Sequence, residues 1–261
     1  EKNICVVENQ NTKISLVSDK SCKWDYGEYQ TILRKPIGSN RVVVQSKAGL
    51  GKSRLCQEIL KASRNMPEAS NDLYHFVFLF DLSELSITDL NCLRENSIST
   101  LFSLITQKIL EKNEITIWQE VLLKQALHEG QVLMIYDGLD EVAVDQAVRF
   151  KSLFDCLFEY PHFLLCSRPE VPLQFSPTKI IKLDFFDKQK IFEYIDGYLS
   201  AKKLPFGNDP GFRDMIQDKI DFLPHLIDLL KVPLHCQLFC NMIFEENQKP
   251  TAATFENIIR L

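Results

Sequence analysis

The residues best suited to chemistry in this chain are a lysine followed by a hydroxyl residue, with two glycines close before them. They lie in Ser46-Lys47-Ala48-Gly49-Leu50-Gly51-Lys52-Ser53, entered from Val42-Val43-Val44-Gln45 and left through Arg54-Leu55. Small residues let successive backbone N–H groups close around an anion, and a helix beginning there adds the positive end of its dipole. Lys52 is placed to reach the β- and γ-phosphates of a nucleotide, and the Ser53 hydroxyl to sit on Mg²⁺. The pattern is that of a P-loop. Its candidate phosphate-binding residues are Ser46, Ala48, Gly49, Leu50, Gly51, Lys52, Ser53 and Arg54. One position departs from G-x-x-x-x-G-K-[ST]: Ser46 stands where the first glycine belongs, which is tolerable where the local backbone avoids positive φ.

A phosphate loop needs a carboxylate for the metal. Val132-Leu133-Met134-Ile135-Tyr136 runs straight into Asp137-Gly138-Leu139-Asp140-Glu141. Asp137, at the end of that apolar run, is the candidate Mg²⁺ carboxylate. Gly138 lets the chain turn away tightly, and Asp140 or Glu141 is placed to orient or deprotonate an attacking water. A third group, Ser167-Arg168-Pro169, follows the apolar run Phe163-Leu164-Leu165-Cys166. In a parallel sheet the C-terminal ends of strands line the ligand crevice, so Arg168 is a candidate sensor of the γ-phosphate.

Those groups require a sheet to hold them. Val42–Val44, Tyr74–Phe80, Val132–Tyr136, Phe163–Cys166 and Lys179–Leu183 read as strands, the Tyr74–Phe80 run as a buried parallel one. Lys52–Arg64, residues 99–111, residues 115–128 and Asp145–Phe158 read as helices, the last with Asp145 as N-cap. The alternation implies an α/β layer with a parallel sheet and helices on both faces. Beyond residue 187 the pattern turns helical: Lys188–Ala201, Gly211–Leu230, Pro233–Phe244 and Thr254–Leu261, punctuated by Pro205, Gly207, Pro210 and Pro224. The expected division is an N-terminal segment or linker (1–35, with short strands near Asn3–Val7 and Lys13–Val17), an α/β domain (36–186) and a helical subdomain (187–261). The aromatics of Tyr74–Phe80 and the Phe185-Phe186 pair read as core packing.

Composition narrows the classes. With 45% hydrophobic and 25% charged residues and a net charge of −5, the chain reads as an ordinary globular protein, not a nucleic-acid binder relying on backbone charge. No run approaches the roughly 18 apolar residues that span a bilayer. The eight cysteines are scattered without C-x-x-C or zinc-finger spacing, and Cys236 and Cys240 read as one buried helix face. A reducing, cytoplasmic compartment is the expectation. The chain starts at Glu1 with no signal-peptide pattern, so it is expected to be a piece of a longer protein.

Together, Gln45–Leu55, Asp137-Gly138-Leu139-Asp140-Glu141 and Cys166-Ser167-Arg168-Pro169 resemble the NACHT family, signalling NTPases of the STAND class within the AAA+-like P-loop proteins. Leu183-Asp184-Phe185-Phe186 with Ile191, Tyr194 and Ile195 looks like that family's entry into its helical subdomain. Leu230-Lys231-Val232-Pro233-Leu234 is similar to the segment whose proline packs on adenine. Residues 251–259 look like the approach to a winged-helix domain. The resemblance covers about residues 36–261. It implies an ATP/ADP-gated switch with slow Mg²⁺-dependent hydrolysis, closed with ADP, opening and self-associating with ATP within a larger protein, in signal transduction and innate immunity. It carries Lys52 and Ser53 over as phosphate and Mg²⁺ contacts, Asp137 as the metal carboxylate, Asp140 or Glu141 as the hydrolytic carboxylate, Arg168 as sensor and Pro233 as adenine contact. The first glycine of the loop departs from the pattern, and none of the five histidines matches the family's ADP-gripping one. Two other readings compete. One is an ordinary P-loop kinase or hydrolase, against which no lid-like arginine cluster stands out. The other is a scaffold that binds nucleotide without turnover.

Overall fold

The structure is a computed structural model, and it describes residues 13–15, 32–64, 73–84, 102–103, 105, 117–141, 158–173, 175–202 and 210–244. The expected strand at Asn3–Val7 and the helix at Thr254–Leu261 lie outside those residues, as do nearly all of the expected helices at 99–111 and 145–158.

Six strands form one parallel sheet: β1 (Lys13–Ser15), β2 (Asn40–Gln45), β3 (Phe76–Asp81), β4 (Val132–Asp137), β5 (His162–Ser167) and β6 (Lys179–Asp184), in the order β1-β6-β2-β5-β4-β3. β5 therefore stands between the strand that feeds the glycine loop and the strand that ends in Asp137. All three C-terminal ends point the same way and lie side by side. β4 and β5 are buried along nearly their whole length, which is why their sequences are near-continuous apolar runs rather than alternating ones.

β3 differs from expectation. Among the described residues it lies at the sheet's edge, and Val77, Phe78 and Leu79 are only half-buried and Phe76 is 36% exposed, stacked on Phe78. An apolar run cannot tell an edge strand from a central one; only pairing can. In the N-terminal segment the strand expected near Lys13–Val17 is present as Lys13–Ser15. Lys13–Ser15 pairs with Lys182–Asp184, and Ile32 and Leu33 are buried in the core, so these residues belong to the sheet layer.

Side chains alternate across the pleat and build a core on each face. On one side Met134, Tyr136, Phe163 and Leu165 pack with Leu123, Ala126 and Leu127 of α2 (Ile117–His128). On the other, Leu133, Ile135, Leu164 and Cys166 pack with Leu55, Cys56 and Ile59 of α1 (Lys52–Arg64). Each such buried aliphatic side chain contributes about 1.5–3 kcal/mol.

A third core is purely helical, made by α3 (Lys188–Ala201), α4 (Pro210–Asp221), α5 (Pro224–Leu230) and α6 (Pro233–Phe244). Asp187 caps α3 by accepting a 2.8 Å hydrogen bond from the Lys190 N–H. The expected helical stretch 211–230 is broken at Pro224, whose ring and missing N–H cannot continue α4. A second break at Lys231-Val232 turns α6 by 114° from α5. Cys236 and Cys240 are buried on α6 in this core, as expected. Phe186 is buried here too, but Phe185 is 38% exposed and lies beside the glycine loop with the Lys47 ammonium 5.7 Å from its ring centre. The pair is therefore not one core unit: consecutive residues leaving a strand point to opposite sides.

No single described helix is long and apolar enough to cross a membrane.

Candidate functional site

The site lies at the C-terminal edge of β2, β5 and β4. Gly49 and Gly51 have φ of 76° and 95°, a region costly for other residues, and this curls the chain between β2 and α1. Ser46, the departure from the glycine pattern, is 3% exposed. Its N–H donates to Ser167 O at 3.3 Å and its hydroxyl to Lys47 O at 3.1 Å, so the loop is tied to the end of β5. Leu50 is buried against the sheet. The Lys52 ammonium donates to Ser46 O at 3.1 Å and Lys47 O at 3.5 Å, and among the described residues it forms no ion pair. A cation resting on two carbonyls of its own loop is held weakly enough to be transferred to an anion. Ser53 is exposed in the first turn of α1, whereas Arg54 reaches along that helix to Glu58 at 2.9 Å.

Asp137 ends β4, and its Oδ1 accepts from the Gly138 N–H at 3.0 Å. A carboxylate oxygen of Asp137 also lies within 4.8 Å of the Cys56 and Cys166 sulphurs, which places it against the first turns of α1. Gly138 has φ of 77°, and a Cβ there would come 3.1 Å from Asp81 Oδ1. Asp81 pairs in register with Asp137 and accepts from the Ser83 N–H and hydroxyl at 2.9 and 2.6 Å. Sequence reading missed Asp81. Its signal was the same as that of Asp137, a carboxylate closing an apolar strand.

Asp140 and Arg168 meet because adjacent strands β4 and β5 deliver the turns that carry them. Arg168 Nε donates to Asp140 Oδ2 at 2.6 Å, the carboxylate 5% and the guanidinium 47% exposed. The other oxygen, Asp140 Oδ1, is buried with no hydrogen-bond partner among the described residues. An orphaned buried carboxylate oxygen is costly and calls for a donor such as metal-bound or attacking water. The residues therefore fit a hydrated Mg²⁺ at this edge. Glu141 is exposed, its N–H closing the turn onto Gly138 O at 2.9 Å.

Pro233 opens α6 at the same place. The Leu234 N–H donates to Gly49 O at 3.2 Å, and a Cβ on Gly49 would come 2.9 Å from Val232 Cγ1. The glycine loop is thus in direct contact with the α5–α6 junction. Of the expected site residues, the loop, Asp137, Asp140, Arg168 and the Pro233 segment gather at this edge, while the Arg54 side chain is engaged on its own helix.

A family model supplies the decisive comparison: the NACHT domain model matches residues 40–202. The chain belongs to the NACHT family. The matched span holds the glycine loop, Asp137-Gly138-Leu139-Asp140-Glu141 and Arg168, so this NACHT domain is a P-loop NTPase. No curated protein sequence matches it. Among solved structures it is similar to a chain in Drosophila ORC bound to DNA, at 10% identity and a TM-score of 0.50, over 97% of this chain and 70% of that one. It also overlaps a RuvB variant of Thermotoga maritima at 13% identity and a TM-score of 0.38, over 85% of this chain and 61% of that one, too loosely to argue from. The ORC likeness bears on the fold alone.

Proposed function

We propose that this NACHT domain is an ATP/ADP-binding switch with slow Mg²⁺-dependent hydrolysis, whose nucleotide state governs opening and self-association of a larger protein in signal transduction. The observation that carries the reading is the contact of Gly49 with Val232 and Leu234. A phosphate loop clasped by a helical cluster passes its state to that cluster, which an ordinary hydrolase does not need.

In this reading Lys52 leaves its loop carbonyls for the β- and γ-phosphates. Ser53 and Asp137 would hold Mg²⁺, which when bound neutralises phosphate charge. Asp140, through its orphaned oxygen, or Glu141 orients the water. Arg168, half-exposed and shared with Asp140, exchanges that partner for the γ-phosphate, coupling the sensor to the hydrolytic carboxylate. Pro233 lies against the adenine. Self-association, adenine as the base and a role in innate immunity follow from the family resemblance.

The test is to denature freshly purified protein and identify released nucleotide by chromatography. ADP near one per chain is expected, lost in Lys52→Ala. Glu141→Gln is expected to keep binding and slow turnover. Steady turnover at roughly tens per second, ordinary for a metabolic enzyme, would count against the switch, and normal ATP binding by Lys52→Ala against the loop assignment itself.

A further inference from the structure

Two core cysteines meet beneath the phosphate loop. Cys56 lies on the buried face of α1, one turn after Lys52, and Cys166 is the fifth residue of β5. Both are fully buried, and their sulphurs lie 3.2 Å apart. A carboxylate oxygen of Asp137 joins the pair, all three donor atoms lying within 4.8 Å of one another. Donors sharing one tetrahedral Zn²⁺, with metal–sulphur bonds of about 2.3 Å and metal–oxygen bonds of about 2.0–2.2 Å, lie roughly 3.5–3.8 Å apart. To meet that spacing the two sulphurs, now 3.2 Å apart, must part by roughly half an ångström.

We propose that Cys56, Cys166 and Asp137 bind a thiophilic divalent cation of the Zn²⁺ class, with a fourth position left open. A disulfide is the competing reading; it uses the two sulphurs alone and takes no third donor. On binding, each thiol releases its proton to solvent, giving two thiolates and one carboxylate around the cation. One consequence rests on the proposed nucleotide reading: an Asp137 held by this cation is withdrawn from Mg²⁺, so the cation inhibits nucleotide binding.

The experiment is a Co²⁺ titration of the full 261-residue chain, metal-free and freshly reduced. One equivalent giving a thiolate-to-cobalt charge-transfer band, displaced by Zn²⁺, is expected. The band should vanish in Cys56→Ser and in Cys166→Ser, persist in the Cys236→Ser/Cys240→Ser control, and require about tenfold or more Co²⁺ in Asp137→Asn. Should the serine variants fail to fold, the wild-type chain still decides: Zn²⁺ should protect Cys56 and Cys166 from alkylation, read by peptide mass spectrometry. No band, a band surviving in both serine variants, equal alkylation with and without Zn²⁺, or a reduced chain that reoxidises to a Cys56–Cys166 disulfide instead of taking up Co²⁺ overturns the site. With the band present, Zn²⁺ should weaken Mg²⁺–ADP binding at least tenfold, reversibly with a chelator. ADP that never binds while the band remains rejects the nucleotide reading and leaves the cation site standing.

Discussion

Single residues on the far side of the sheet show how strongly this fold constrains its polar groups. His162 opens β5 and is 5% exposed. Its Nδ1 lies 3.1 Å from the Tyr74 hydroxyl, which accepts from Asn40 Nδ2 at 3.0 Å. A hydroxyl already accepting from an amide is free to donate to a neutral imidazole. Burial, with help from the nearby Lys35 charge, lowers the His162 pKa to about 4. A histidine whose folded pKa lies below its unfolded value of about 6.5 binds fewer protons when folded. Its stabilising contribution is therefore complete above pH 6.5 or so and is lost as pH falls toward 4. Stability should drop across that window by up to about 1.4 kcal/mol per pH unit more in wild type than in His162→Asn, whose amide oxygen still accepts from Tyr74. Urea melts at pH 4.5 and 7 read the difference; identical pH profiles would refute the assignment of the titration to His162.

At the scale of elements, the glycine loop and the α5–α6 junction form one fitted contact. Gly49 serves it twice: its φ of 76° disfavours any Cβ, and a Cβ would strike Val232 at 2.9 Å. Gly49→Ala should thus cost about 1–2 kcal/mol from backbone conformation plus an overlap that Val232→Ala relieves. In nucleotide-free urea melts, the double variant should be more stable than additive single effects predict by about 0.5 kcal/mol or more; strict additivity would mean the junction simply swings away. This contact was not legible in the sequence, although both stretches were flagged there, Gly49 for phosphate and the segment around Pro233 for adenine. Local signals survive in one dimension: Val42–Val44 and Val132–Tyr136 read as strands because a parallel central strand is buried on both faces. Pairing does not survive. The edge position of β3, the pairing of Lys13–Ser15 with β6, the Asp81↔Asp137 register and the Arg168–Asp140 bond all join residues far apart in sequence. Hydrophobicity likewise could not separate Phe185 from Phe186, since only the direction of exit from β6 decides which one reaches the helical core.

At the scale of the molecule, stability is divided between a sheet with two apolar faces and a helical cluster that shares neither. The chain passes from β6 into that cluster at Phe185–Asp187. Among the described residues, the contacts that join it back to the sheet include the Leu234 N–H on Gly49 O and Val232 packed on the sheet core. A unit with a core of its own can open at lower free energy than the whole. Without nucleotide, amides of α3 and α6 should exchange through such a sub-global opening at least tenfold faster than those of β4 and β5, a gap of about 1.4 kcal/mol or more. Phe186→Ala, which empties an aromatic site in the helical core, should widen that gap by about 3–5 kcal/mol while leaving β4 and β5 nearly untouched. Native-state hydrogen exchange measures both. If α6 and β4 amides exchange through one common opening, the two cores are a single cooperative unit, and the loop could not move the helices without unfolding the sheet. If the gap is found and Mg²⁺–ADP closes it, the nucleotide is acting on the helical cluster through the Gly49–Leu234 contact or through Pro233, and such coupling is the mechanical requirement for a switch built on this fold.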